Sequence, residues 1–155
     1  MANFMLDDTD RRILRHYQHD PSLSAADLAD RASVTTATCA RRLERMQANG
    51  VIRGNYAVID WHVLGYEVEV SLRVTLDKTQ PRAFEDFTEK AKIIPEVVEI
   101  QSFLGRVDLR LSVIARDMQH YQQLYRTAIL TLPHIADIEA LMHVARLKSD
   151  EILPL

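Results

Sequence analysis

The spacing of hydrophobic residues changes near residue 66, and this change limits the folds that the chain can adopt. Before it, apolar residues recur every three or four positions, which is typical of helices packed along one side. After it, Val68 to Leu76 alternates apolar and polar residues, which predicts a strand with one buried face. A helical first part and a second part that contains strands predict two small domains in this 155-residue chain.

Three short helices are predicted in the first part, over residues 7–19, 25–32 and from Thr35 to just before Gly50. A tight turn at Ser33-Val34 precedes the third helix, so the order predicts a helix-turn-helix unit. The following segment, Val51 to Ile59, predicts two short β pieces around Gly54-Asn55, as in a small wing.

The third helix has two different sides. Cys39, Leu43 and Met46 recur at i, i+4 and i+7 and define a buried stripe. Thr35 can cap the N-terminus, and Gly50 suits a left-handed residue after the helix end. Outward arginines, hydroxyl groups and the positive end of the helix dipole fit a helix in the major groove of DNA. An amphipathic helix with three arginines is also a common form of ordinary solvated surface.

Positive charge is concentrated around this helix. Between Arg31 and Gly54 five arginines face one acid, giving a local charge of +4, whereas the whole chain carries −3. A basic patch on an acidic body indicates contact with DNA through one surface only.

The remaining composition excludes several classes of protein. A hydrophobic content of 47% with four glycines and five prolines indicates a folded chain, and no apolar run is long enough to cross a bilayer. We expect no signal peptide and a cytoplasmic location.

The single cysteine, Cys39, excludes an intrachain disulfide and is either a core thiol or a redox sensor. No catalytic, metal-binding or phosphate-binding motif stands out, so we expect a protein without cofactor or metal that is not an enzyme.

The second part predicts a βαββαβ order. Strands are predicted over 68–76, 97–104, 107–113 and 136–148, and helices over 81–94 and 117–132. The fold class is therefore α+β, a winged helix-turn-helix followed by a ferredoxin-like domain with helices on one face of an antiparallel sheet. Leu141, Ala145 and Leu147 share the other face with His143, and we expect a second subunit to cover it. The predicted boundaries are 1–60 for the first domain, 61–65 for a linker and 66–155 for the second.

Several segments together resemble the Lrp/AsnC family of bacterial and archaeal transcription regulators. They are Leu6 to Leu14, Cys39 to Met46, Gly50 to Gly54, Ile94 to Val97, Gly105 with Asp108, and Leu132-Pro133. The resemblance covers nearly the whole chain. It implies binding of double-stranded DNA, dimers that assemble further, often to octamers, and an amino acid or related small molecule as effector.

On this resemblance the candidate DNA-binding residues lie on and around the third helix: Thr35, Thr36, Ala37, Thr38, Arg41, Arg42, Arg45 and Arg53. Arg41 and Arg45 are predicted to point outward and to contact bases or phosphates. Arg42 lies nearer the packed side, so two roles are open for it. It either contacts a phosphate or forms an ion pair within the domain.

The candidate effector-binding residues are Leu104, Gly105, Arg106, Val107, Asp108, Ile138 and Ala140. The sequence departs here from the family pattern, which commonly has Gly-Asp-x-Asp at this turn and Thr-x-Thr in the last strand. Arg106 stands in place of an acid, and a guanidinium is suited to carboxylates. One hypothesis is therefore an acidic, carboxylate-rich or non-amino ligand; the alternative is that Arg106 is an exposed turn residue and no ligand binds.

Two other functions remain open. Sirohaem decarboxylases resemble the same two-domain family, and in that case His120, His134 or His143 would act on tetrapyrrole carboxylates with Arg106 or Arg110. A ligand-sensing module with a vestigial helix-turn-helix would bind an effector without binding DNA.

Overall fold

The computed structural model describes residues 4–148 and 152–155, which fall into two compact units. Residues 4–58 form the first unit together with 148 and 152–155, and residues 59–147 form the second. The division lies just before the predicted linker at 61–65. The end of the chain joins the first unit because the side chain of Gln18 hydrogen-bonds both backbone groups of Leu153, at 2.9 and 2.8 Å.

The three predicted helices of the first unit are present as α1 (Asp8–Tyr17), α2 (Ala25–Arg31) and α3 (Thr36–Ala48). Their first turns are capped by side chains, because an N-terminal turn leaves backbone N–H groups without partners. Thr35 caps α3 as predicted, and Ser24 caps α2. Asp7 caps α1 and forms a reciprocal capping box with Asp10.

The first unit encloses its own apolar core. The predicted stripe of α3 is confirmed, since Cys39 and Met46 are fully buried and Leu43 packs against them. The α1 and α2 helices contribute the other buried members, which are Ile13, Leu28, Ala29 and Ala32. The helices therefore hold the other side of α3 toward solvent.

The predicted β pieces of the wing are wrong for this chain. Residues 51–59 belong to no strand, and residues 53–59 are all exposed. An isolated pair of very short strands is marginal in water without an apolar face to bury. The segment is instead anchored by Asn55, whose Nδ2 donates to the hydroxyl of Tyr17 at 2.9 Å.

The second unit has the predicted ferredoxin-like βαββαβ order. Its elements are β1 (Val68–Leu76), α4 (Ala83–Ala91), β2 (Val97–Ser102), β3 (Leu109–Ala115), α5 (Met118–Leu124) and β4 (Ile135–Met142). A π-helical turn, Tyr125–Ile129, continues α5. The antiparallel sheet has the strand order β2-β3-β1-β4.

The two faces of this sheet differ in chemistry. On one face alternate residues of β1 and β3 are fully buried with Phe87 in a single core, as the alternation of apolar residues predicts. The other face, called here the open face, carries charged pairs such as Arg73–Glu139 and Arg110–Glu99. The helices therefore lie on one side of the sheet only.

The last predicted strand is too long. We predicted it to reach residue 148, but β4 ends at Met142, so Ala145 and Leu147 lie beyond the sheet and are exposed. Leu141 does lie on the open face, opposite Ser71. Its neighbour β1 begins at Val68, and Val70 already pairs with Met142, so β1 has only two residues beyond that pair and cannot support a strand to residue 148.

Within the described residues, no helix has the length and apolar composition of a membrane span.

Candidate nucleic-acid interface and effector groove

The beginning of α3 presents hydroxyl groups and backbone to solvent. Thr35 Oγ1 accepts a hydrogen bond from the backbone N–H of Thr38 at 3.2 Å and donates to the hydroxyl of Thr38 at 2.9 Å. Thr35, Thr36 and Ala37 are exposed, whereas Thr38 is half-buried. Because the positive end of the helix dipole lies here as well, this turn suits a phosphate or a base edge.

Arg41 follows on the same exposed side, one turn into α3. Its side chain is exposed, and within the described residues it makes no hydrogen bond or ion pair. Its guanidinium is therefore free to bind an external acceptor. Arg53 is likewise exposed, in the irregular segment after the helix.

Arg42 forms the ion pair within the domain that was one of its two predicted roles. Its Nη1 atom lies 2.8 and 2.7 Å from the two carboxylate oxygens of Asp7 and 2.8 Å from Oδ1 of Asp10. Only 20% of the side chain is exposed. Hydrogen bonds to these carboxylates, Asp7 first, raise the pKa of Arg42 above its ordinary value.

Arg45 is partly committed to the same network. Its Nη2 atom donates to Oδ2 of Asp10 at 2.7 Å, and its guanidinium lies over the ring of Phe4, 5.0 Å from the centroid. The side chain is nonetheless 46% exposed. Arg45 thus points outward as predicted, with one end of its guanidinium held by α1.

The two carboxylates differ in exposure. The Asp10 side chain is fully buried, and the Asp7 side chain is 52% exposed. Hydrogen bonds from the Arg42 side chain and then from the backbone N–H of Asp10 lower the pKa of Asp7 to about 2, so this carboxylate is ionised at neutral pH. Counted with their formal charges, the two acids reduce the local charge of +4 along residues 31–54 to +2.

The second unit has a groove of about 560 Å³ beside the turn that precedes β3. It is lined by three of the predicted effector residues, Arg106, Val107 and Ile138, together with Arg73, Thr75, Asp137 and Glu139. Thr75 Oγ1 donates to the backbone carbonyl of Arg106 at 3.2 Å, so the turn is fixed to β1. The groove therefore combines two guanidiniums with two carboxylates.

The other four predicted effector residues do not line this groove. Leu104 is fully exposed at the turn, next to Gly105, and Ala140 pairs with Leu72 farther along β4. Asp108 faces a separate cavity of about 190 Å³, and its Oδ2 accepts the backbone N–H of Leu76 at 2.9 Å. Its other oxygen lies 3.4 Å from the ammonium of Lys78.

Two family models match the chain, one in its first part and one in its second. A model for a winged helix-turn-helix DNA-binding domain matches residues 6–53, and a model for the Lrp/AsnC ligand binding domain matches residues 69–153. The chain belongs to the Lrp/AsnC family. This Lrp/AsnC member thus carries its DNA-binding domain and its ligand-binding domain in the predicted order.

Individual Lrp/AsnC relatives match over almost the full length. The chain is 27% identical over 154 residues to the DNA-binding transcriptional activator DecR of Escherichia coli strain K12, covering 97% of this chain and 99% of DecR. An AsnC family transcriptional regulator from Agrobacterium tumefaciens is 32% identical, with a TM-score of 0.87 and coverage of 96% and 97%. A transcriptional regulator of Neisseria meningitidis, solved as an L-Met complex, is 25% identical, with a TM-score of 0.90 and coverage of 97% of both chains.

Sequence reasoning missed Asp7 and Asp10 as arginine partners in this Lrp/AsnC chain. A signal was available, because Asp10 precedes Ile13 by three residues and therefore falls on the buried stripe of α1. A buried acid needs a cationic partner, and the arginines of α3 were one candidate source of it.

The histidines that the decarboxylase hypothesis invoked lie apart on the second unit of this Lrp/AsnC chain. His134 Nε2 is 3.1 Å from Asp86, His143 Nδ1 is 3.3 Å from Glu69, and His120 accepts from the backbone N–H of Arg116 at 3.1 Å. None of the three lines the groove. Within residues 4–148 and 152–155, no three or more Asp, Glu, His or Cys side chains form a group that could hold a metal ion.

Proposed function

We propose that the chain binds duplex DNA through the exposed side of α3 and regulates transcription in the cytoplasm without catalysing a reaction. The observation that carries this proposal is the free guanidinium of Arg41, one turn beyond the exposed hydroxyl-bearing start of the helix. A helix presented in this way can enter the major groove, where arginine reads guanine edges. The match to a winged helix-turn-helix DNA-binding domain and the name of the DecR relative support it.

The arginines of α3 are not equivalent in this proposal. Arg41 contacts base edges or phosphates with its whole guanidinium. Arg45 contributes the part of its guanidinium that Asp10 does not hold, and Arg42 mainly joins α3 to α1. Thr35, Thr36, Ala37, Thr38 and Arg53 supply the contacts around these side chains.

Equilibrium titration of duplex DNA, using a site selected from a random library, tests the proposal. Arg41→Ala should weaken binding by about 1–3 kcal/mol if a bidentate base contact is lost. Arg116→Ala, which removes the same charge from an exposed position of the second unit, serves as the control and should bind as the wild type does. Equal affinity of Arg41→Ala and wild type would contradict the assignment of the helix.

We also propose that a small effector binds the groove beside Arg106. Arg106 and Arg73 suit a carboxylate, as the sequence hypothesis stated, but Asp137 and Glu139 add sites for an ammonium group. Glu139 already lies 3.4 Å from Arg73, which leaves Arg106 and Asp137 as the pair for a zwitterion. The L-Met complex of the Neisseria meningitidis relative supports an amino acid as the ligand.

Calorimetry against amino acids and organic acids distinguishes the two ligand classes. The heat of binding of an amino acid should be lost in Arg106→Ala and also in Asp137→Asn. The heat of binding of a plain organic acid should be lost in Arg106→Ala alone. Arg110→Ala is the control, because Arg110 pairs with Glu99 on the same sheet and does not line the groove. Absence of heat with every compound would contradict an effector site here.

We propose, further, that the chain acts as a homodimer that assembles to larger species, with a second copy covering the open face of the sheet. The partly exposed Leu141, together with the charged pairs Arg73–Glu139 and Arg110–Glu99 of that face, supports a contact surface of mixed polarity. Sedimentation equilibrium tests this directly: a monomer at micromolar concentration would contradict it.

The decarboxylase alternative is not favoured, because the named relatives are transcription regulators and the three histidines do not converge. Incubation with sirohaem followed by absorption spectroscopy tests it, and any conversion would overturn the non-enzymatic proposal. A vestigial helix-turn-helix would instead give effector heats without any shift of labelled duplex.

A further inference from the structure

Two carboxylates, that of Asp7 at the cap of α1 and that of Asp10 within α1, hold donors of two arginines of α3. Arg42 donates through Nη1 to Asp7 and Asp10, and Arg45 donates through Nη2 to Asp10. Carboxylates and phosphates bind guanidinium groups with the same fork geometry. A guanidinium nitrogen held by a carboxylate of its own chain is therefore withheld from a phosphate of the DNA.

The two acids differ in how readily a phosphate can displace them. The carboxylate of Asp10 is fully buried and accepts hydrogen bonds from two arginines and from the backbone N–H of Asp7. The carboxylate of Asp7 is half-exposed and binds one side chain, that of Arg42. Competition between protein carboxylate and DNA phosphate is therefore confined to Asp7 and Arg42.

We propose that Asp7 is a specificity-determining residue of the DNA-binding face, which competes with DNA phosphates for Arg42 and so limits sequence-independent binding. Non-specific affinity depends on the number of phosphates that cations of the protein neutralise. Withholding Arg42 lowers that number, while Arg41 remains free for contacts that depend on sequence. The inference rests on the proposed function, because it assigns a role to a residue beside the same helix.

The variant Asp7→Asn isolates this effect. Asparagine caps a helix as well as aspartate does, and its carbonyl can accept the backbone N–H of Asp10 that Asp7 accepts at 2.8 Å. The matched control is Asp8→Asn, which removes the same charge from the adjacent exposed residue, whose side chain binds no arginine among the described residues.

Affinity for a random-sequence duplex and for the selected site should be measured from low to high salt with wild type and both variants. We expect Asp7→Asn to bind random duplex more tightly, with a salt slope steeper by about 0.9 because Arg42 then neutralises one more phosphate. Its ratio of specific to non-specific affinity should fall. Asp8→Asn should keep the wild-type slope and ratio, and Asp7→Asn with Arg42→Gln should return to the wild-type slope.

Equal slopes for Asp7→Asn and Asp8→Asn would overturn the inference, as would weaker binding of Asp7→Asn with its helical circular dichroism intact. Failure of the wild type to bind any duplex would contradict the proposed function instead. In that event duplex binding by Asp7→Asn would still support the inference, and its failure to bind would overturn it.

Discussion

Nη1 of Arg42 on α3 lies 2.7 Å from Oδ2 of Asp7, the residue that caps α1, although 35 residues separate the two in the chain. The contact joins the first and third helices of the DNA-binding unit at the exposed edge of its core. The fully buried Asp10 extends the junction to Arg45. The orientation of α3 relative to α1 therefore depends on charge pairing as well as on apolar packing.

The contact between Asp7 and Arg42 predicts a loss of stability in acid. The folded pKa of Asp7 is about 2, below its usual value of 3.8, chiefly because the Arg42 side chain hydrogen-bonds the ionised carboxylate. The stabilising effect is therefore complete above the unfolded pKa of 3.8 and is lost as the pH falls toward 2. Urea unfolding followed by circular dichroism should show wild type more stable than Asp7→Asn at neutral pH, with the difference disappearing at the acid end. A difference that does not vary with pH would contradict this.

Asp10→Asn should destabilise the first unit more than any exposed acid does. The substitution removes a buried charge that accepts from Arg42 and Arg45, and we expect a cost of about 2–3 kcal/mol in the free energy of unfolding. Hydrogen exchange of the α1 and α3 amides measures this loss for the first unit separately. Exposed Asp8 provides the comparison, and Asp8→Asn should change the free energy of unfolding obtained from hydrogen exchange by less than about 0.5 kcal/mol.

Cys39 should behave as a core thiol. It is fully buried, and burial raises the pKa of the thiol because the thiolate is poorly solvated there. A disulfide reagent should therefore label the native protein only at the rate of unfolding and label the protein at once in guanidinium chloride. Rapid labelling of the folded protein would favour the redox-sensor alternative.

Glycine should be required at position 50 because of the backbone conformation there, and not because a larger side chain would clash with a neighbour. Its φ of +71° is left-handed, and a Cβ added there would meet nothing within 4 Å. Gly50→Ala should thus cost about 1 kcal/mol through strain, while Gly50→Asn should cost less because asparagine tolerates this region. Thermal unfolding of the two variants compares them, and equal stability of Gly50→Ala and wild type would count against the strain.

Local rules accounted for most of the fold. The caps at Ser24 and Thr35, the left-handed Gly50 and the bounds of β1 follow from nearest-neighbour chemistry and from apolar periodicity, both of which are visible in the sequence. The β pieces of the wing and the length of β4 were mispredicted because strand formation depends on a partner strand, and periodicity within one segment does not reveal how far that partner extends.

The candidate site was only partly predictable for a similar reason. The exposure of Arg41 follows from its position opposite the stripe of Cys39 and Met46. The capture of Arg45 by Asp10, and the presence of Asp137 in the groove with Arg106, depend on contacts between segments distant in sequence. Such pairings arise from tertiary structure. Helical periodicity places Asp10 on the buried stripe of α1, but it does not identify the arginine that pairs with it.

DNA cleavage by a reagent tethered to α3 tests the central claim most directly. Copper-phenanthroline can be attached to Ala37→Cys, an exposed position at the start of the helix, in a Cys39→Ala background, with Leu130→Cys on the second unit as the control position. A reagent at position 37 should cleave the selected duplex within a few base pairs of the protected site. The same reagent at position 130 should cleave it much more weakly. Cleavage from position 130 alone, or none from position 37 while the duplex is bound, would contradict it.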